Sequence, residues 1–146
     1  MPRKLFTIGY EGTCIDSFIG CLLSNNIDCL IDVRQAPLSR KPGFSKTELS
    51  RRLNHAKIRY VHLGDLGTPK ALREKLKLTS DYSTFFKKMD KYLNQKKDSI
   101  EMAYDYAMGS TCCLMCFEKL SDQCHRKIVA RKIKERDGNG LQVKNI

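Results

Sequence analysis

The sequence predicts a three-layer α/β/α domain built on a mainly parallel sheet of about five strands. Three observations predict it. Apolar runs of strand length alternate with amphipathic stretches of helical period along all 146 residues. The interior runs, residues 27–33 above all, are apolar nearly throughout, as strands covered on both faces are. The length suits one hydrophobic core, so residues 1–146 are expected to form a single domain.

Residues 5–10 read as a buried strand halted by Gly9 and Gly12, and Thr13 with Asp16 has the pattern of a capping box. Ile15, Phe18, Ile19, Leu22 and Leu23 recur at helical spacing, and Asn25-Asn26 closes that helix. With residues 27–33 as the second strand, the chain opens as a β-α-β unit. Pro37, Pro42 and Gly43, set among Ser39, Arg40 and Lys41, make residues 35–44 an irregular basic loop. Ser45 and Glu48 form a second capping box, opening a short helix that turns Leu49 and Leu53 inward. Residues 58–63 supply a third strand, and a loop over 64–69 leads to a short helix around Leu72 and Leu76. The stripe Phe85, Phe86, Met89, Tyr92 and Leu93 predicts a helix packed on the core. Residues 100–108 form a further helix broken by Gly109. A strand-length apolar run follows at 111–117, and Ser121 stands as N-cap of a helix carrying Ile128, Val129 and Ile133. Gly138 and Gly140 supply a turn before a last strand at 141–146.

No apolar run approaches the roughly 18 residues that span a bilayer, and the N-terminus runs into the first strand without a secretory pattern. A membrane partner is therefore not expected, and a cytoplasmic location is. Seven cysteines, an odd number in a chain of this length, favour reduced thiols over a disulfide framework. The formal charge of +11 comes from 27 basic and 16 acidic residues. Eight basic residues and one acid, Glu48, fall between positions 34 and 59. Such an excess favours anionic partners, a nucleotide or nucleic acid among them, or else forms a solvated basic surface.

In a parallel α/β sheet the site lies at the C-terminal ends of the strands. That rule gathers Tyr10, Asp32, Arg34, His62, Cys116 and Glu118 at one crevice. The basic loop adds Arg40 and Lys41. A helix beginning near Asp122 would bring Cys124, His125 and Arg126 in its first turn, together with backbone N–H groups able to hold an anion. Cys113, Cys116, Cys124 and His125 supply thiolate and imidazole donors, but zinc is not expected unless 112–116 is a loop, because residues 113 and 116 of a strand point to opposite faces and adjacent residues such as 124 and 125 rarely both ligate one ion. No cofactor is expected either. Asp32 and Arg34 also admit a structural role, the carboxylate capping a loop and the arginine pairing with Glu118 or Glu11.

Several segments together resemble a family. Thr7-Ile-Gly-Tyr-Glu-Gly12, Leu30-Ile-Asp-Val-Arg34, Ser39-Arg-Lys-Pro-Gly-Phe-Ser45, His62-Leu-Gly-Asp-Leu-Gly67, Cys116-Phe-Glu-Lys119 and Cys124-His-Arg126 resemble the domain-of-unknown-function family DUF488 over nearly the whole chain. That resemblance implies no reaction. Leu30-Ile-Asp-Val-Arg34 and the run from Cys112 to Cys116 are also similar to rhodanese-like domains, which implies a rhodanese-like or Rossmann-like sheet with Cys116 as nucleophile. The loop after Cys116 departs from that pattern, having no glycine and carrying Glu118 where an anion would sit.

The sequence thus leads to an enzyme acting on a phosphate-bearing ligand, with a cysteine (Cys116 or Cys124) or Glu118 as the reactive group. Asp32 is a further catalytic candidate. Tyr10, Arg34, Arg40, Lys41, His62, His125 and Arg126 are the expected substrate-binding residues. The alternative is a non-catalytic nucleic-acid-binding module that uses the basic stretch 34–59.

Overall fold

The computed structural model describes residues 3–120, 124–138 and 140–146. Five strands, β1 (Lys4–Gly9), β2 (Cys29–Asp32), β3 (Arg59–His62), β4 (Cys112–Cys116) and β5 (Gln142–Asn145), form one sheet in the order β3-β2-β4-β1-β5. Every pairing is parallel, with Phe6 opposite Cys113 and Asp32 opposite both His62 and Met115. The alternation of β4 is direct evidence of the two-sided burial that its apolar run predicts. Cys112, Leu114 and Cys116 face one core cluster, and Cys113 and Met115 face the other.

Helices α1 (Ile15–Ser24) and α2 (Lys46–His55) cover one face, packing Phe18, Ile19, Leu22, Leu49 and Leu53 into the same cluster as Cys113. On the other face lie α3 (Lys70–Thr79), α4 (Tyr82–Asn94), α5 (Lys97–Gly109) and α6 (Arg126–Arg136). The predicted stripe of α4 packs as expected, with Phe85, Met89 and Leu93 buried. Three layers result.

Connectivity then fixes where a ligand can enter. The chain leaves β1 and β2 through helices on one face, but leaves β4, which lies between them, through α6 on the other. Adjacent strands whose connections part to opposite faces leave a crevice at their C-terminal ends. Here that crevice opens at Cys116. Gly9 keeps it narrow on the β1 side, since a Cβ there would stand 1.7 Å from the carbonyl oxygen of Glu118. Gly67 does the same for the loop after β2, where a Cβ would lie 2.2 Å from the Gln35 nitrogen.

Both expected capping boxes take another form. Helix α1 begins after Cys14, and Asp16 pairs with Arg52 instead. At α2, Ser45 caps no amide. Its hydroxyl accepts from the Ser39 N–H at 2.9 Å and donates to the Ser39 carbonyl at 3.0 Å. Glu48 accepts from the Gly43 N–H at 2.9 Å. Helix-capping side chains are short hydrogen-bonding groups near free amides, and a loop folded back on the helix start offers nearer amides. The pair therefore pins the basic loop over 39–45 and seats Phe44, fully buried, against Tyr10 at a ring separation of 4.5 Å.

The last helix also starts later than predicted. Ser121 and Asp122 lie outside the described residues, and α6 begins at Arg126, with His125 as its N-cap residue. Cys124 and His125 thus precede the helix.

Candidate functional site at the end of the central strand

At the C-terminal edge of β2, Asp32 is fully buried and its carboxylate is completely engaged. Arg34 donates to it through Nε at 2.9 Å and Nη2 at 2.7 Å, and the Arg34 amide donates at 3.0 Å. The Tyr60 hydroxyl donates to the same carboxylate at 2.6 Å. Burial opposes the Arg34 charge, but the Asp32 carboxylate outweighs it and raises the arginine's pKa. Burial and the same carboxylate push the Tyr60 phenol up as well. Arg34 therefore pairs with Asp32 and not with Glu118 or Glu11, while Glu11 accepts from the Lys119 N–H at 3.1 Å. The remaining arginine nitrogen, Nη1, reaches the Tyr10 hydroxyl at 3.3 Å, which orients the Tyr10 ring toward the crevice.

Beside this pair, the end of β4 meets the start of α6. Cys116 and Cys124 are joined as a disulfide with Cα atoms 7.5 Å apart, while Cys14, Cys21, Cys29, Cys112 and Cys113 are free. Reduced thiols are expected throughout, and at this pair alone the structure brings two sulfurs within bonding distance. An odd count excludes complete pairing, but it does not stop one strand end and one helix start from bringing two sulfurs together. While that bond stands, neither Cys116 nor Cys124 is a nucleophile.

Arg126, almost wholly buried, stitches the two segments. Its Nη1 lies 3.3 Å from Cys116 Sγ and also donates to the Glu118 carbonyl, its Nη2 donates to the Lys119 carbonyl at 2.9 Å, and its amide donates to Cys124 Sγ at 3.4 Å. Its Nε is buried without a hydrogen-bond partner among the described residues. The helix whose amides are expected to hold an anion begins at Arg126, and residues 121–123 lie outside the described residues. The amides of Arg126, Lys127 and Ile128 turn to Cys124 Sγ, the Cys124 carbonyl and the His125 carbonyl.

Glu118 places Oε2 3.5 Å from Cys116 Sγ. Burial raises the pKa of its carboxyl, and the nearby Arg126 guanidinium offsets only part of that. His125 is buried, with Nε2 2.8 Å from the Val33 carbonyl oxygen. A carbonyl can only accept, so Nε2 carries the proton and Nδ1 presents its lone pair to Cys124 Sγ, 3.7 Å away. Burial lowers the imidazole pKa to about 4, so the ring is neutral at pH 7.

This depressed pKa has a measurable sign. Between about pH 6.5 and 4 the unfolded chain binds a proton that native His125 refuses, so its contribution to stability is lost as pH falls, by about 3 kcal/mol in all. Glu118, which holds its proton more tightly when folded, acts in the opposite sense and stabilises at low pH. With the 116–124 disulfide intact, the difference in unfolding free energy between wild type and His125→Gln should therefore shrink from pH 7 to pH 4. A constant difference would contradict the assignment of a buried neutral imidazole.

These groups border a cleft of about 520 Å³. Its floor is Cys116, Glu118 and His125, with Tyr10 and Arg34 beside them. One wall, which the sequence reading missed, comes from α3 and the start of α4: Arg73, Lys77 and Tyr82. The exposed side chains of Leu38 and Phe117 form its rim. Four expected binding residues stand apart from it: Arg126, which joins β4 to α6 as described above, and three others. Arg40 is exposed on the basic loop, Lys41 Nζ donates to the Tyr10 carbonyl at 3.3 Å, and His62 Nε2 lies 2.7 Å from the Arg34 carbonyl, bracing the loop from behind. Asp32 lies under the cleft, sealed by its four hydrogen bonds.

Among the described residues no helix is long and apolar enough to cross a membrane. The curated proteins and the solved structures contain no match to the chain. A family model, Domain of unknown function DUF488, matches residues 14–133, which takes in the basic loop, the β2 edge and the chain from β4 into α6. The chain belongs to the DUF488 family.

Proposed function

We propose that the protein is an enzyme acting on a phosphate-bearing ligand, a nucleotide or a segment of nucleic acid, held in the cleft at the end of β4. Glu118 is its proton-transferring group. The observation that carries this reading is the composition of the cleft wall: Arg73 and Lys77 beside the exposed aromatic rings of Tyr82 and Phe117, with the Glu118 carboxyl also in the lining. Cations hold phosphate oxygens, and an aromatic face stacks a base with about 1–3 kcal/mol whatever its identity. The volume falls within the range of small-ligand sites, roughly 300–1,000 Å³. The +11 charge draws anions toward the surface that bears it.

Glu118 is preferred to Cys116 because the Cys116 sulfur is paired with Cys124, to which it bonds when oxidised, while the carboxyl is not so engaged. A half-buried carboxyl lining a cleft is suited to give or take a proton as a bond in the ligand breaks. The five free thiols suit a cytoplasmic setting.

The second reading is a binding module using the stretch 34–59, and one observation favours it. Arg40, Lys46, Arg51 and Lys57 are all exposed on that segment, away from the cleft lining. Nucleoside mono-, di- and triphosphates and a fluorescent single-stranded oligonucleotide, titrated against variants, separate the two. The cleft reading expects Arg73→Glu/Lys77→Glu to abolish binding and Lys46→Glu/Arg51→Glu to leave it. The reverse pattern, with affinity falling steeply with salt for the oligonucleotide alone, would establish the module.

A further inference from the structure

Two sulfurs and an imidazole lone pair converge where β4 meets α6. Cys116 Sγ, Cys124 Sγ and a ring nitrogen of His125 lie within 4.8 Å of one another, and all three residues are buried. Cys116 and His125 also line the cleft, so the cluster has a route from solvent. From this convergence we infer that the reduced protein binds a Zn²⁺ ion through Cys116, Cys124 and His125, with a fourth coordination position facing the cleft.

The surroundings of the three donors support it. His125 is held by its Nε2–H on the Val33 carbonyl, 2.8 Å away, so Nδ1 is the free donor and the ring cannot swing aside. A ligating histidine is ordinarily oriented by such an outer contact. Each sulfur has its own N–H neighbour, the Arg126 guanidinium 3.3 Å from Cys116 and the Arg126 amide 3.4 Å from Cys124. N–H groups aimed at sulfur stabilise thiolates, the form that binds metal. The Nδ1 to Cys124 Sγ distance of 3.7 Å is close to the roughly 3.5 Å expected between a sulfur and a nitrogen on one tetrahedral zinc ion. Two thiolates this close repel unless something joins them. Either protons stay on the sulfurs, or a cation lies between them, or two electrons leave and the sulfurs bond to each other.

Among the described residues these three donors make up the cluster. Two thiolates and an imidazole with an open position are the donor set of catalytic zinc sites, in which the ion lowers the pKa of a bound water. Glu118, 3.5 Å from Cys116 Sγ, is the carboxyl nearest that position. The same cysteines form the disulfide, so metal binding and oxidation exclude each other. A phosphine reductant delivers two electrons and, with two protons from water, returns two thiols. Zn²⁺ then displaces those two protons. Diamide reverses the process, accepting two electrons and two solvent protons to become the hydrazide while the sulfurs join and the ion leaves.

Metal binding by full-length protein, stripped with chelator under phosphine, tests this without any substrate. Titration with Co²⁺ should saturate at one ion per chain, with a thiolate-to-cobalt charge-transfer band and the visible absorption of four-coordinate cobalt, both erased by Zn²⁺. Cys124→Ser and His125→Gln should each weaken Zn²⁺ at least about tenfold, the lower bound for disturbing even the outer shell of such sites. Cys113→Ala, on the opposite sheet face, should not. Because a variant can fail to fold, wild-type protein supplies a second measurement: diamide should release one Zn²⁺ per chain as Cys116 and Cys124 together become resistant to thiol labelling. Substoichiometric cobalt, equal losses in Cys113→Ala and Cys124→Ser, or oxidation without release would each overturn the site. Glu118→Gln should keep its zinc, so a failure of the proposed nucleotide chemistry leaves this result readable on its own.

Discussion

Replacing Asp32 by alanine is expected to lower the unfolding free energy by about 3–5 kcal/mol, which for a chain of this size is a fall of roughly 6–20 °C in Tm. The reason lies in what remains. Arg34, 7 % exposed, would keep its charge with no carboxylate against it, and the Tyr60 hydroxyl and the Arg34 amide would lose their acceptor too. Set against a total stability of about 5–15 kcal/mol, this is enough to unfold a marginal domain. A double replacement, Asp32→Leu with Arg34→Met, should recover most of the loss, because a buried pair removed together leaves no orphaned charge. Urea denaturation reads both, as a shift of the midpoint at unchanged slope. If the double variant is as unstable as Asp32→Ala, the damage comes from packing and not from the uncompensated guanidinium.

The second large effect concerns chemistry. On whichever ligand of the nucleotide series is turned over, Glu118→Gln should lower kcat by about 10²–10⁴ while leaving binding intact. Glutamine keeps the size and polarity of the side chain but cannot exchange a proton. The rate of the wild type should also follow the protonation of a carboxyl whose burial has raised its pKa, and Glu118→Gln should lose that limb of the pH profile. A variant that loses binding and turnover together would assign Glu118 to holding the ligand.

The location of the candidate site can be read from the sequence for a physical reason. Parallel strands show themselves as apolar runs, and polar residues at their C-terminal ends, such as Asp32, Arg34, Cys116 and Glu118, have to share one edge of the sheet. What periodicity does not carry is where long side chains turn after leaving the strand. Arg34 folds back on Asp32 two positions earlier, so an expected ligand contact became mostly a structural pair. His62 similarly braces a carbonyl behind the cleft. Ser45 and Glu48 had the pattern of a helix cap but found nearer partners in the loop that folds over them.

The contact between Cys116 and Cys124 was hidden for a different reason. The late start of α6 places Cys124 and His125 before the helix, where their side chains turn toward the end of β4. In a helix begun near Asp122 they would have pointed to different sides. The wall made by Arg73, Lys77 and Tyr82 was missed because it comes from the long crossover between β3 and β4. There the apolar stripes of α3 and α4 announce packing, while the polar residues beside them carry no signal of what they face.

Backbone amide shifts of isotopically labelled protein, followed during titration with a nucleoside monophosphate, test the central claim most directly. A ligand in the cleft should move the resonances of residues 34–39, 73–77 and 116–118 together and saturably. Shifts confined to 46–57, or none at all across the nucleotide series, would contradict it.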